Sequence, residues 1–438
     1  MLACLIDKNL KDIVPSALAL AGLRETESYE AVSTALNAEG YEIQDGDSGL
    51  DIINYLAGQG YVEFKCAGGA LTIKPLSNNF QPVMSVSGTL NTTWKLSKFQ
   101  YVRMEDGDMT AHSPLANCML KIHDHDVLGL IARFNKPCSY DDVEKILEFG
   151  NRLPIVMAAL AQARIILPCD ASGKTEDDLN PDRRMWDFHE LLFHSRSRLG
   201  RSGSKIGATW DLKDEIEKPP VVKPNVWTGA VIPLYRPSEV TQDLSLFEAM
   251  ETRRSIRNYS SVPLTSVELG EFLFRTMRVK YHENINGHEI TSRPYPNGGG
   301  IYEQELYVTI DACLDIPRGV YYYDAVNHQL CHVIDPCSDM ELLLEEASMA
   351  TARTGRAQIL FTIASRFGAF NWKYSAMSYA AQLKNVGVIY QTMYLVATAM
   401  GIGACGLGVG NADRFSSLTG LDYLEEGSIG EFMIGRPI

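Results

Sequence analysis

The sequence predicts a protein of the α+β class, with two small modules ahead of a larger carboxy-terminal domain. Helical patterns combined with alternating segments occur twice in the first 170 residues, which predicts small units of helices and short strands. Later residues combine alternating segments with one long apolar helical pattern at 378–400. A chain of 438 residues is too long for one small core, so two or three domains are expected.

Polar and proline-rich stretches mark the predicted domain boundaries. Residues 170–184 are polar, and residues 218–224 are rich in proline. We predict a winged-helix-like module at 1–95, a second at 96–170, a linker with a helix at 171–240 and the carboxy-terminal domain at 241–438.

The first module is predicted from two helical patterns and a hairpin. The helical patterns cover 29–40 and 50–60, and the alternating residues 61–75 turn at Gly68 and Gly69. In the second module, a strand at 99–104 and a turn at 105–108 precede helices at 124–134, 140–149 and 154–163. Two helices followed by a hairpin indicate a winged helix, which binds DNA, docks a peptide or only packs against its neighbours.

The charge of the chain argues against nucleic-acid binding. The formal net charge of −14 repels phosphate backbones, and the candidate recognition helix at 50–60 contains no arginine or lysine. A membrane span is not expected, because Lys384, Asn385 and other polar residues fall within the long apolar helix and are costly in lipid. The amino terminus lacks a secretory signal, so a cytoplasmic protein is expected.

We predict no metal site. The nine cysteines are scattered without a Cys-x-x-Cys pair, which favours reduced thiols. His189 and His194 are five residues apart, so on a helix they point about 140° away from each other and cannot share a zinc ion. The acidic and histidine residues at 123–126 are more typical of a helix cap and a solvated turn.

The apolar helix at 378–400 is the centre of the predicted carboxy-terminal domain. Its apolar residues recur at spacings of three and four, so it should be buried on most sides, in a core or between subunits. The glycines from Gly401 to Gly406 match a dinucleotide fingerprint in letters, but they follow a helix where that site requires a strand. Such dense glycines still predict close approach of the backbone to a ligand or a packed neighbour.

Two further segments predict ligand contacts. An amphipathic helix is followed by Arg253, Arg254, Ser255 and Arg257, and arginine forks beside a hydroxyl suit a phosphate or another anion. An exposed basic turn explains the same residues equally well. The Pro-Asn-Gly-Gly-Gly turn at 296–300 offers bare backbone amides to a planar ligand, and alternating residues at 305–310 and a hairpin at 319–334 follow it.

With these segments the chain resembles a known family, the SagB-type branch of the nitroreductase-fold flavoproteins. These are FMN-dependent azoline dehydrogenases that act on peptides, and the cyanobactin oxidases are the most similar among them. The resemblance covers residues 244–438 and is carried by the motifs at 253–259, 293–299, 319–324, 372–374, 387–397 and 426–435. Residues 186–201 and the two modules before them also resemble the segments that such enzymes carry ahead of the flavin domain.

The resemblance implies a role for each matching residue. FMN would be held at its phosphate, ribityl chain and ring edge by Arg253, Arg254, Ser255 and Arg257, with Arg436 as a second phosphate partner. The other subunit of a homodimer would contribute Pro296, Asn297 and Gly298. The isoalloxazine would be lined by Gly406, Leu407 and Gly408. Lys373 and Tyr374 match the catalytic pair of the family. The acid and the histidine that the family often carries near Asn385 and Val388 are absent, so an extra base in the central helix is in doubt.

The reaction of the family explains why a base is needed. An azoline becomes an aromatic azole when one ring proton leaves as H⁺ and a neighbouring hydrogen leaves as hydride to the flavin. Free lysine and tyrosine have pKa values near 10, so Lys373 or Tyr374 would need a lowered pKa to act as the base near neutrality. Adjacent residues on a helix diverge by about 100°, so one is expected to act as base while the other positions the ring or relays the proton. A solvated Lys373 and a core Tyr374 explain the pair without catalysis.

We therefore expect an FMN-dependent homodimer that oxidises thiazolines, and oxazolines as a second ring type, in a ribosomal precursor peptide, with dioxygen regenerating the flavin. The amino-terminal modules would hold the peptide. Two other functions fit the sequence. One is an NAD(P)H-dependent nitro- or quinone reductase on the same scaffold, and the other is a non-catalytic peptide-binding protein.

Overall fold

The chain forms two compact units, residues 1–206 and 207–438. The computed structural model describes residues 2–5, 62–77, 80, 92–145, 149–201, 205–238, 243–285, 288–353 and 355–438. The helices predicted at 29–40 and 50–60 lie outside these residues. The mixture of helices and antiparallel strands confirms the predicted α+β class.

The first unit contains nine strands, six α-helices and two short 3-10 helices, at Ala67–Gly69 and Gly150–Arg152, within its described residues. The strands are β1 (Leu2–Leu5), β2 (Val62–Cys66), β3 (Leu71–Pro75), β4 (Thr93–Leu96), β5 (Tyr101–Glu105), β6 (Asp108–His112), β7 (Cys118–Ile122), β8 (Cys138–Ser139) and β9 (Ile166–Pro168). The helices are α1 (His125–Arg133), α2 (Tyr140–Glu144), α3 (Leu153–Gln162), α4 (Glu176–Leu179), α5 (Pro181–Arg184) and α6 (Phe188–Arg196).

Two antiparallel sheets organise the first unit. One has the strand order β1-β2-β3-β7-β6-β5, and the other has the order β8-β4-β9. Because β3 pairs with β7, the larger sheet combines strands from both sides of the predicted boundary at residue 95. The winged-helix assignment therefore stays a prediction, as do the domain boundaries.

Local turn and cap chemistry explains the elements that the sequence predicted here. The hairpin of β2 and β3 turns at Gly68 and Gly69, whose φ angles of +67° and +92° suit glycine. Gly107 has φ of +84° in the next hairpin. Asp124 caps α1 by accepting from the Asp126 amide at 3.0 Å, and Ser139 opens α2 with a capping box. The predicted hairpin at 61–75, the strand and turn at 99–108 and the helix at 124–134 are confirmed, and α2 covers the first part of the helix predicted at 140–149.

The second unit is built on one antiparallel sheet of seven strands, in the order β11-β18-β17-β15-β19-β22-β21. Its strands are β10 (Gly207–Ala208), β11 (Val231–Pro233), β12 (Leu264–Thr265), β13 (Tyr281–Ile285), β14 (His288–Ser292), β15 (Gln304–Ile310), β16 (Cys313–Leu314), β17 (Gly319–Asp324), β18 (Gln329–Ile334), β19 (Ile359–Arg366), β20 (Tyr374–Ser375), β21 (Gly403–Leu407) and β22 (Glu426–Gly435). Its helices are α7 (Leu246–Thr252), α8 (Ser266–Thr276), α9 (Ser338–Met349), α10 (Phe367–Asn371), α11 (Ser378–Ala399) and α12 (Ala412–Thr419).

The predicted central helix is α11, and its packing within the chain leaves part of its surface exposed. Its buried residues include Asn385, Ile389, Met393 and Ala397, which lie four residues apart. Other positions are exposed, among them Leu383, at 37%. The expectation of burial on most sides is therefore wrong for a single chain. No helix among the described residues is long and apolar enough to cross a membrane.

The proline-rich segment at 218–224 is attached to the sheet by buried charges. The Arg366 guanidinium donates to the carbonyl oxygens of Pro220 at 2.7 Å and Val221 at 2.9 Å. Lys223 forms an ion pair with Glu426 at 2.5 Å, and both side chains are more than nine-tenths buried. A buried charge that loses its partner is strongly destabilising, so this segment is held in place.

A buried histidine in the first unit predicts acid sensitivity. His112 is 2% exposed, and its Nδ1 accepts a hydrogen bond from Arg196. Burial, together with the positive charges of Arg196 and Arg103, lowers the pKa of His112 to about 3. The unfolded chain binds a proton at this residue below about pH 6.5, whereas the folded chain does not until about pH 3. His112 therefore lowers stability progressively as the pH falls through this window.

We expect His112→Asn, which does not titrate, to flatten the pH dependence of unfolding by up to about 1.4 kcal/mol per pH unit. Urea unfolding between about pH 4 and pH 7 measures this slope. His125→Asn is the matched control, because His125 is exposed. An unchanged slope in His112→Asn would show that His112 takes up its proton at the same pH in the folded chain as in the unfolded chain.

Candidate functional site

The arginine-rich segment at 253–257, predicted to bind an anion and called the anion loop below, packs against a tyrosine of the central helix. The Arg253 guanidinium lies 5.1 Å from the centre of the Tyr394 ring, and the Ser255 hydroxyl is 3.0 Å from the Tyr394 hydroxyl. The Gly406 amide donates to the same hydroxyl at 2.7 Å. Arg254 and Arg257 are exposed next to these residues. Tyr394 therefore connects the anion loop to β21, the strand whose last residues are predicted to line the isoalloxazine.

Bare glycines allow these segments to approach each other. A Cβ at Gly355 would lie 2.0 Å from the Arg257 carbonyl oxygen, and one at Gly406 would lie 3.1 Å from the Tyr390 ring. The Ile256 amide donates to the Ala404 carbonyl at 2.9 Å. Close packing therefore explains glycine at these two positions, of which Gly406 belongs to the glycine-rich run after α11.

Arg436 lies near the loop but has a partner of its own. Its guanidinium donates to both carboxylate oxygens of Glu268, at 2.9 and 2.7 Å, and its carbonyl accepts from Ser260 at 2.8 Å. Burial opposes ionisation of Glu268, but hydrogen bonds from Thr265 and Arg436 lower its pKa below the ordinary value. The role of Arg436 as a phosphate partner stays a prediction, and a phosphate would have to compete with Glu268.

The Pro-Asn-Gly turn is held by a buried network of amides around one acid. The Asn297 side chain donates to Glu303 at 3.0 Å, and the Gly298 amide donates to the Asn385 side chain at 3.1 Å. Asn385 in turn donates to Glu303 at 2.9 Å. Pro296 is exposed at the start of this turn. The network fixes the direction in which Asn297 and Gly298 are presented.

Glu303 is the residue of this network that sequence reasoning missed. Its side chain is completely buried, and burial raises its pKa even though Asn385 and Asn297 donate to it. The family's acid near position 385 would place a second carboxylate beside Glu303, and two like charges in one site repel each other. An asparagine at 385 therefore suits this chain. No local pattern marks Glu303, since only folding brings it to Asn385.

Lys373 and Tyr374 lie beside the same turn, although not on a helix. Helix α10 ends at Asn371 and Tyr374 begins strand β20, so the expectation of a helical pair is wrong. The Tyr374 ring stacks on Phe370 with 4.8 Å between centres. A Cβ at Gly299 would lie 2.3 Å from the Tyr374 hydroxyl. The Lys373 amine lies 5.1 Å from the Tyr374 ring, so the two side chains stay together.

A cavity of about 610 Å³ opens beside Lys373. Lys373, Gly299 and Gly300 share its wall with aromatic and apolar side chains. These include Trp210, Pro219, Pro220, Tyr281, Ile301 and Trp372. The structure thus brings the predicted catalytic lysine and the predicted glycine turn together around one apolar space.

The two groups of predicted site residues, the glycine turn at 296–300 and the anion loop at 253–257, contact opposite faces of α11. Asn385 contacts the turn and Tyr394 contacts the anion loop, and these residues are nine positions apart in the helix. Nine residues correspond to about 14 Å along the axis and about half a turn around it beyond whole turns. One copy of the chain therefore does not present both clusters to the same side of this helix.

A second acid also escaped the sequence analysis. Glu431 lies with Tyr390, Leu407 and Gly408 around a cavity of about 150 Å³. Its carboxyl accepts from the Ser428 hydroxyl, and burial raises its pKa. Strand β21 ends at Leu407, and both the buried Leu407 and the exposed Gly408 border this cavity. Its position in the strand pattern of β22 does not distinguish Glu431 from an exposed acid.

Two family models match separate parts of the chain. Residues 250–436 match the model described as Nitroreductase family, and residues 94–203 match the model described as Cyanobactin oxidase ThcOx. The chain therefore carries a nitroreductase domain in its second unit, and the resemblance predicted from the sequence is confirmed.

Individual relatives are more distant. A candidate nitroreductase of Methanocaldococcus jannaschii is 28% identical over 167 residues, which are 38% of this chain and 80% of the relative. A solved candidate nitroreductase of Ralstonia eutropha is 22% identical with a TM-score of 0.37, covering 51% of this chain and 99% of that one. A chain of the E. coli microcin synthetase McbBCD complex with truncated pro-MccB17 bound is 17% identical with a TM-score of 0.36, covering 54% and 85%.

The contact between Gly299 and Tyr374 predicts a specific cost for a methyl group. Gly299 and Gly300 have similar φ angles, +64° and +67°, so alanine at either position is strained by about 1–2 kcal/mol. Only Gly299→Ala also meets the Tyr374 hydroxyl. We expect Gly299→Ala to lower the free energy of unfolding by about 1–3 kcal/mol more than Gly300→Ala.

Urea unfolding of both variants, alone and with Tyr374→Phe, measures this difference. Removing the hydroxyl should reduce the cost of Gly299→Ala and leave that of Gly300→Ala unchanged. Equal costs for the two alanines in both backgrounds would mean that the turn does not press on Tyr374.

Proposed function

We propose that this chain, which carries a nitroreductase domain, is an FMN-dependent oxidase of thiazolines, and of oxazolines as a second ring type, in a ribosomal precursor peptide. The observation that carries the proposal is the meeting of Lys373 with Gly299 and Gly300 at one largely apolar cavity, with the Tyr374 hydroxyl beside Gly299. The cyanobactin oxidase match at 94–203 supports a peptide as the substrate and the first unit as the part that holds it.

The residues of the second unit fit FMN. Arg254 and Arg257 are exposed beside the Ser255 hydroxyl, which suits a phosphate group. The Gly406 amide reaches the Tyr394 hydroxyl that also contacts Ser255, and Gly408 leaves open space beside the end of this strand, which suits a flat ring. When bound, FMN would accept the hydride from the azoline and pass the electrons to dioxygen.

Lys373 is the better placed of the two candidates for the base. Lys373 lines the cavity, whereas Tyr374 is not among its lining residues and has its hydroxyl beside Gly299. Two adjacent ring carbons each lose one hydrogen in this reaction, one as a proton and one as hydride. A neutral amine at this position would take the proton, so that the ring gains its second double bond. Tyr374 would then orient the ring, since the turn and Phe370 hold its own side chain.

A homodimer would complete the site. The anion loop and the 296–300 turn lie on opposite faces of α11, and the exposed part of this helix includes Leu383. If two copies pack through this helix, the anion loop of one copy can face the turn of its partner. Each of two equivalent sites would then take Arg254 and Arg257 from one chain and Lys373 from the other.

A second function is favoured by the nitroreductase match alone. An NAD(P)H-dependent nitro- or quinone reductase would use the same FMN loop without needing Lys373. Anaerobic NADPH would bleach its flavin with no peptide present, whereas the proposed oxidase would be bleached by a thiazoline peptide.

We expect the purified protein to be yellow and to convert a thiazoline peptide into the thiazole with loss of two hydrogen atoms, as read by mass spectrometry. Lys373→Ala should keep its FMN absorbance and lose about 10²- to 10⁴-fold in turnover, because the ring proton has lost its acceptor. Lys213→Ala, at an exposed lysine, is the matched control. Normal turnover by Lys373→Ala would refute the assignment of the base.

Mixing two inactive variants tests the shared site. Lys373→Ala and the double variant Arg254→Glu, Arg257→Glu carry their defects in different clusters, so a heterodimer would contain one intact site. We expect mixing to restore oxidation that neither variant shows alone. Differently tagged copies confirm that subunits have exchanged. Exchange without regained activity would place both clusters of a site in one chain.

A further inference from the structure

The segment at the start of the second unit forms part of the wall around Lys373. Strand β10 pairs with β20, and the amides of Thr209 and Trp210 donate to the Lys373 carbonyl at 3.0 and 3.3 Å. The Thr209 hydroxyl is 2.5 Å from that of Ser375. The chain next to the predicted catalytic pair is therefore fixed to Trp210 through the backbone.

Trp210 has an unusual backbone for so large a residue. Its φ angle is +49°, in the left-handed region that bulky residues avoid. Such strain persists where surrounding contacts enforce it, and it is common where a side chain must be aimed at a ligand. The hydrogen bonds to Lys373 supply those contacts, and they direct the indole to the cavity that Lys373 lines.

The indole lies close to the amine and remains accessible. The Lys373 Nζ is 5.7 Å from the centre of the Trp210 ring, and the residue is 42% exposed. Trp372 also lines the cavity, but its indole N–H donates to the Ile216 carbonyl at 2.7 Å. Trp372 thus anchors the segment, whereas Trp210 presents a ring face to the space beside the amine.

We propose that the Trp210 indole stacks against the substrate ring in this cavity and binds that ring more tightly as it becomes flat. The inference rests on the proposed function, because it assigns the ring that Lys373 would deprotonate. An azoline has tetrahedral carbons with hydrogens above and below its plane, whereas the azole is flat and aromatic. Aromatic rings stack by offset or edge contacts worth more than their buried area. Trp210 therefore binds the product and the flattening transition state better than the azoline.

Binding of the product separates this role from catalysis. A dye-labelled thiazole peptide and the unmodified cysteine peptide are titrated into the FMN-loaded full-length protein, with fluorescence anisotropy as the readout. We expect Trp210→Leu to weaken binding of the thiazole peptide about five- to tenfold and to leave the cysteine peptide unchanged. Trp210→Phe keeps an aromatic face and should retain most of the affinity.

Turnover supplies the second readout. Trp210→Leu should lower kcat more than it raises KM for the thiazoline, since the stacking strengthens as the ring flattens. FMN absorbance and the melting temperature show whether each variant is folded.

Equal thiazole affinity in Trp210→Leu and the wild type would overturn the inference while leaving the proposed oxidation intact. A wild type that holds FMN and does not oxidise the thiazoline would instead overturn the proposed function. A loss in Trp210→Leu that extends equally to the cysteine peptide would show a structural role for the segment, and would likewise overturn the inference.

Discussion

Two side chains of the central helix accept hydrogen bonds from a turn and a strand of the second unit, and the candidate site depends on these bonds. Asn385 accepts from Gly298 on one face of α11, and Tyr394 accepts from Gly406 on the other. Both partners are backbone amides, which must be paired when they are removed from water. The helix therefore sets where the glycine turn and the anion loop stand, and their placement on opposite faces is the physical reason for invoking a second copy.

Buried charge explains how a proline-rich segment becomes part of a cavity. Lys223 and Glu426 are paired where little water reaches, and Arg366 donates to the carbonyls of Pro220 and Val221. Separating these groups would leave a buried charge without its partner, which costs several kcal/mol. The segment was predicted as part of a linker, but within the second unit it is one wall of the space beside Lys373.

Patterns that depend on neighbours in sequence predicted the local structure well. The hairpin at Gly68 and Gly69 follows from backbone angles that glycine tolerates, and the long helix at 378–399 follows from the spacing of its apolar residues. These sequence patterns predicted the wrong local structure where contacts between distant residues determine it. Lys373 and Tyr374 lie in a turn and a strand because β20 pairs with β10, more than 160 residues earlier in the chain.

The sequence by itself determined the α+β class, the hairpin at 61–75, the long helix at 378–399 and the resemblance that the two family matches confirm. These properties depend on periodicity and on motifs, which are local. Only the tertiary structure decided that Glu303 supports Asn297 and Asn385, that Glu431 borders the space at Gly408, and that Trp210 faces Lys373. Apart from the bond between Asn297 and Glu303, which are six residues apart, these contacts join residues distant in the chain. No local pattern distinguishes a buried acid or an indole that faces a cavity from an exposed one.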